Sequence, residues 1–183
     1  PNSEDNLIAL VPNKSSTLVE RPSFLFYIPE LNGQQVRAKF LLLKEENQDP
    51  ILQESIILSC KSCIVNLRSP KTLSLDKEYR WLFSIEIDKK SPYSVEGLIK
   101  RIAPDPMLMN QVRDATSKQE VAAIYVRNGI SHDAVTKLAA LRMNNPYDRS
   151  ILATWHHLLD SFGLEEIAAK PLVDCPLLIS RER

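Results

Sequence analysis

Cys60-Lys-Ser-Cys63 is the one stretch of this chain whose residue types and spacing match a known redox chemistry. In a thioredoxin-like enzyme a CxxC opens a helix after a strand, where the helix dipole lowers the thiol pKa. Here both flanking runs, Ile51–Leu58 and Ile64–Leu67, read as strands. The motif therefore falls on a strand-end turn, with two thiols that can bridge in an oxidising compartment. Structural zinc needs about four ligands, and no second CxxC or paired-His motif lies nearby. Cys175 is the third cysteine, so one pair plus a free thiol and three reduced thiols both remain open.

The other candidates carry less. His156 and His157 are adjacent on a predicted helix, about 100° apart, and cannot readily chelate one metal. His132 lies at a helix start, and a dyad with Cys175 or Cys63 has nothing in the sequence to assemble it. Among carboxylates, Asp133 and the Glu165-Glu166 pair sit near helix N-termini, where the dipole accounts for them; Glu96 and Asp160 stand alone. Tyr79, Trp81 and Trp155 could line a sugar or peptide surface, but on apolar faces they read as core. With four glycines and no GxGxxG, GxxxxGK[ST], GxSxG or HExxH, the expectation is no catalytic residue, no cofactor and no metal ligand.

Lys plus Arg is 23 and Asp plus Glu is 23. Zero net charge argues against nucleic acid or an anionic membrane as the main partner, since both demand an electropositive face. No apolar run approaches the ~20 residues of a membrane span. The sequence starts at Pro1, which is compatible with a signal peptide removed upstream.

The elements that must hold these residues fall into two kinds. Residues 1–102 read as an antiparallel β domain resembling a sandwich, with strands at Phe24–Ile28, Val36–Leu42, Ile51–Leu58, Ile64–Leu67, Tyr79–Ile87 and Val95–Ile102. Leu7–Pro12 is an opening strand or arm, followed by a loop rich in Asn, Lys and Ser. Tyr79, Trp81, Phe83, Ile85 and Ile87 alternate with polar neighbours, which predicts the central strand. A turn follows at Lys89-Lys-Ser-Pro-Tyr93. Residues 103–183 read as a helical domain. Asp105-Pro106 starts a helix ending near Ala115, and Asp148 or Ser150 caps a helix with Ile151, Leu152, Trp155, Leu158, Leu159 and Phe162 on its apolar face. Leu164–Ala169 is a short helix. The tail turns extended at Leu177–Ile179 and charged at Arg181–Arg183. The fold class is α+β.

Between those helices, Ser117–Pro146 predicts a helical hairpin. Ser117 and Glu120 form a capping box, Asn128-Gly129 closes the first helix, and Ser131 caps the second. Ala134, Val135, Leu138 and Leu141 give the second helix an apolar stripe. Tyr125, Gly129, Ala134, Leu138 and Pro146 fall at offsets that resemble a tetratricopeptide repeat unit. The Trp and Leu-Gly of that motif are absent, and Leu141 stands where a small residue is usual. Tyr125, His132, Asp133 and Lys137 are the candidate interaction face of the hairpin.

A wider resemblance lies in the order of segments: Glu20-Arg-Pro-Ser-Phe-Leu-Phe-Tyr-Ile-Pro29, Tyr79–Ile85, Val95–Arg101, Tyr125 with Asn128-Gly129-Ile130 and Asp133-Ala134, then Trp155 through Gly163-Leu164 to Pro171-Leu-Val173. In this order the chain resembles the cyanobacterial domain-of-unknown-function 928 family, from about Leu7 to Val173. That resemblance implies a periplasmic or secreted, non-enzymatic protein and brings no site residues; a cytoplasmic setting is the alternative. The expected role is a protein-interaction or scaffold module whose partner is another protein. A carrier of a small ligand or saccharide at the β/α junction is the rival, and a cysteine-dependent enzyme the third class. A concave pocket with convergent polar groups at that junction would favour the carrier. An exposed apolar groove along the Ser131–Arg142 helix would favour the partner module.

Overall fold

The structure is a computed structural model and describes residues 5–31, 35–86 and 93–177. Ile87, the turn at residues 89–92 and the tail beyond Leu177 lie outside the described residues. The strands are β1 (Ile8–Ala9), β2 (Lys14–Thr17), β3 (Ser23–Ile28), β4 (Val36–Lys44), β5 (Pro50–Leu58), β6 (Cys63–Arg68), β7 (Glu78–Glu86), β8 (Tyr93–Arg101) and β9 (Leu172–Pro176). The helices are α1 (Pro106–Asp114), α2 (Lys118–Arg127), α3 (Ser131–Asn144) and α4 (Arg149–Ser161), with a 3-10 turn at Glu165–Ile167. The protein is α+β, as the pattern of strands followed by helices requires.

Two sheets face each other. One has the order β1-β3-β6-β9, the other β2-β8-β7-β4-β5. Alternation builds the larger sheet: Val36, Ala38, Phe40 and Leu42 of β4 and Tyr79, Trp81, Phe83 and Ile85 of β7 are buried, and β7 lies at its centre. These side chains meet Phe24 and Phe26 of β3. Phe26 stacks on Phe83 with centroids 4.1 Å apart, and Phe24 lies 5.1 Å from Phe40. Each such buried aromatic stabilises by about 1.5–3 kcal/mol. In β3 and β6 the apolar residues run without alternation, and Phe24–Ile28 and Cys63–Val65 are all almost fully buried. A strand covered on both faces needs no polar side. Its second cover is helical, because α3 packs on β3 and β9 and Val135, Leu138, Trp155 and Leu159 share one core with the strands.

Both sheets are mixed, which corrects the purely antiparallel expectation. β2 runs parallel to β8, and β9 runs parallel to β6. β2 is the segment Lys-Ser-Ser-Thr, expected as a loop. It has no apolar pattern, and its pairing with β8 lies more than 80 residues away in sequence. β9 brings the tail back from the helical half to pair Ile64–Arg68 with Leu172–Pro176, so the extended segment precedes the expected Leu177–Ile179. One buried core runs through both halves.

The helix ends follow local chemistry. The Asp105 side chain accepts from Leu108 N–H and caps α1; Asp148 accepts from Ser150 and Ile151 N–H and caps α4. Ser117 caps α2 as expected, but Glu120 reaches one residue further back than in a capping box, accepting from the Thr116 N–H at 2.7 Å and its hydroxyl at 2.8 Å. Ser131 is the first residue of α3 rather than its cap; Ile130 holds the cap position without a side-chain bond. The first-turn side chains of α3 are committed elsewhere.

Candidate functional site

Helices α2 and α4 both pack against α3, and the space between them is a groove of about 270 Å³. Ala122, Ala123 and Val126 of α2 form one wall. Thr154, His157, Leu158 and Ser161 of α4 form the other, with Leu138 of α3 on the floor and Arg127 at the rim. The spacing explains the walls. Residues 122, 123 and 126 lie within one turn on one side of α2, as do 154, 157, 158 and 161 over two turns of α4. Ala122 is buried, yet Ala123 and Val126 are exposed. At its start the groove is closed by a bond from the Gln119 side-chain amide to the Ser150 hydroxyl at 3.1 Å.

His132 and Asp133 fix α3 in place. Neither presents a surface, at 0% and 2% exposure. Asp133 accepts from the Thr17 hydroxyl at 2.6 Å and from Leu18 N–H at 2.7 Å. Thr17 in turn accepts from Val19 N–H at 3.0 Å. His132 Nε2 lies 2.7 Å from the Ser23 carbonyl oxygen. A carbonyl only accepts, so Nε2 carries the proton and Nδ1 is free to accept from the Ser15 hydroxyl at 3.3 Å. Desolvation raises the Asp133 carboxyl above the ordinary range, while the bonds from Thr17 and Leu18 pull the other way. Burial lowers the His132 imidazole to about 4, against the Ser23 bond.

The line from Ser15 through His132 to Ser23 has the connectivity of a nucleophile and its base. Its chemistry is wrong for that role. A base with a pKa near 4 takes a proton poorly at neutral pH, and a fully buried ring leaves no room for a substrate beside it. The cluster is a clamp joining α3 to β2 and β3. Of the face expected at Tyr125, His132, Asp133 and Lys137, only Tyr125 and Lys137 keep part of their surface. Tyr125 packs on a small cluster around Leu108, Ile124 and Ile130.

The remaining candidates are dispersed. Cys60 and Cys63 are joined by a disulfide in the β5–β6 connection. Cys175 is unbridged, and burial, with Asp174 beside it, pushes its thiol up, away from the nucleophilic thiolate. His156 and His157 point outward on α4, with His157 on the groove. Glu96 lies 3.6 Å from Arg80. Tyr79, Trp81 and Trp155 are core, and the Trp155 indole N–H donates to the Ala168 carbonyl at 2.9 Å. Among the described residues, no three of His, Cys, Asp or Glu converge on a metal-sized space, and no helix is long and apolar enough to cross a membrane. At the β/α junction there is a second hollow of about 300 Å³, lined by Ala9, Leu10, Val11, Pro12, Phe162 and Leu164. None of its side chains offers a hydroxyl, amide or charge.

No curated protein matches the chain. Among solved structures, it is similar to the β-glucuronidase of Parabacteroides merdae, crystallised with glycerol in its active site, at 9% identity and a TM-score of 0.29. That likeness covers 95% of this chain and 35% of the glucuronidase and carries no argument about activity. The model of the family described as Domain of Unknown Function (DUF928) matches residues 1–172, and the chain belongs to that family.

Proposed function

We propose that this member of a family of unknown function is a non-enzymatic protein-interaction or scaffold module, working outside the cytoplasm, and that it holds its partner in the α2–α4 groove. The observation that carries the reading is the groove itself: a concave surface of alanine, valine and leucine side chains interleaved with Thr154, His157 and Ser161, open on a helical layer whose α3 and α4 share the core with the strands. Apolar surface of this kind marks partner sites. The extracytoplasmic setting is supported by the Cys60–Cys63 bridge, since disulfides persist in oxidising compartments. The carrier reading has less support, because a saccharide needs convergent polar groups and the junction hollow has only apolar side chains.

The test is partner capture from an extract of the native host by the wild-type chain and by Ala123→Glu and Val126→Glu variants. Both positions are exposed, so the variants should fold, which circular dichroism checks. Ala134 would not serve, since it is completely buried and a charge there would unfold the hairpin. The groove reading expects the captured partner to be lost with both variants. Equal recovery by folded variants contradicts it.

A further inference from the structure

Resting on that reading, we propose that the groove's occupant is an acidic amphipathic helix of about two turns, supplied by another protein. The groove is closed where Gln119 meets Ser150 and extends from Ala122 to Arg127 on α2 and from Thr154 to Ser161 on α4. At 1.5 Å per residue the longer wall measures about 10 Å, the length of about two helical turns. Alanines at the closed end let a backbone approach, and Val126, Leu138 and Leu158 offer contacts for two apolar side chains spaced i, i+4.

A helix fits better than an extended peptide. The groove offers no sheet edge to which an extended peptide could add a ladder of backbone hydrogen bonds. A helix brings its hydrogen bonds with it. Charge gives the rest. Among the described residues Arg127 is the one charged side chain lining the groove, His157 adds an imidazole, and no carboxylate lines it. Glu120, whose charge Arg127 feels, is held by the Thr116 N–H and hydroxyl and lies outside the lining. A second copy of this chain is disfavoured, because a two-fold contact sets the same patch against itself and would bring Arg127 towards Arg127. A partner with Asp or Glu flanking its apolar stripe meets that rim with opposite charge.

Two blocked synthetic peptides test the proposal, each with Leu at i and i+4 on a helical scaffold, one flanked by Glu and the other by Lys. Each is titrated into the full ¹⁵N-labelled chain. The expected result is that the Glu peptide shifts the amide signals of Ala122, Ala123, Val126, Leu138 and Leu158. Its affinity should fall at least about fivefold in Arg127→Glu, which should in turn favour the Lys peptide. If the Lys peptide binds the wild-type chain as tightly, the acidic class is overturned and the groove reading stands. If neither peptide shifts these signals while Val126→Glu still abolishes partner capture, the helical occupant is overturned and the groove reading again stands. Silence from both peptides together with undiminished capture by Val126→Glu removes both.

Discussion

Asp133 accepts two short hydrogen bonds across the junction, from the Thr17 hydroxyl and the Leu18 N–H. Removing the carboxylate leaves both donors buried or half-buried without a partner, and an unsatisfied buried group costs about 1–3 kcal/mol. Asp133→Ala should therefore lower the unfolding free energy by about 3 kcal/mol in urea titration, and Asp133→Asn, which keeps one acceptor oxygen, by about 1 kcal/mol. Equal losses would deny the hydrogen bonds their role. Its neighbour His132 sets a pH dependence. The folded value of about 4 lies below the ordinary 6.5, so between these values the unfolded chain binds the proton more readily. Stability from this residue is full above pH 6.5 and is lost as the pH falls towards 4, by at most about 3 kcal/mol. Asp133 acts in the opposite sense: its folded value is raised above 3.8, so acidification through that raised value favours the folded state and offsets part of the loss. In His132→Gln the acid limb between pH 6.5 and 4 should flatten. An unchanged slope would place the titration elsewhere. The burial of His132 had a local signal: His132, Val135 and Ala139 share one helical stripe at i, i+3 and i+7, and all three are buried; Asp133 had none, since Thr136, Lys137 and Ala140 on its own stripe all keep surface. Their partners had none, because Ser15, Thr17 and Ser23 lie more than 100 residues earlier.

At the scale of elements, β7 and β8 meet with Trp81 opposite Gly97. A Cβ at Gly97 would collide with the Trp81 ring atom Cζ2 and would lie 2.7 Å from the Asn13 carbonyl oxygen. The ring is fully buried, and the carbonyl is held by Leu98 N–H at 2.7 Å, so neither yields cheaply. Gly97→Ala should destabilise by about 1–3 kcal/mol, the usual cost of overpacking, read as a drop in melting temperature; an unchanged melting temperature would mean that the β2–β8 edge moves freely. Alternation made β4 and β7 legible, unbroken apolar runs did the same for β3 and β6, and Asp105, Ser117 and Asp148 announced their helices. β2 and the partner of β9 were not legible. Each is fixed by parallel pairing with a distant strand, and a four-residue polar strand has no period to detect. The groove was legible only in part. Leu138 and Leu158 belong to stripes that can be counted, whereas Ala123, Thr154 and Ser161 are small or polar and acquire meaning only once α2 and α4 are side by side.

For the whole molecule, one buried core joins elements before residue 102 to elements after it. β9 returns to the first sheet, α3 is clamped to β2 and β3, and Arg142 of α3 lies 5.4 Å over the Trp155 ring while donating to the Lys170 carbonyl just before β9. Two buried tryptophans report on the two parts, Trp81 in β7 and Trp155 in α4. Single-tryptophan variants, Trp81→Phe and Trp155→Phe, should show urea transitions of equal slope, each coinciding with circular dichroism on the same variant, as a two-state unit does. A separate earlier transition seen through Trp155 would make the helical half an independent domain. If the two parts unfold as one unit, the groove is a preformed surface rather than one that must fold on its partner.

The claim that the groove is the binding face is most directly tested by site-specific photo-crosslinking in the native host. A benzophenone side chain is placed at Val126 in the groove, and in separate variants at Ile57 on β5 and Met107 on α1, both exposed at 65% and 71%. One discrete adduct is expected from position 126, absent from positions 57 and 107 and suppressed by Ala123→Glu in the same chain. Adducts from position 57 or 107 with none from 126 would contradict that claim.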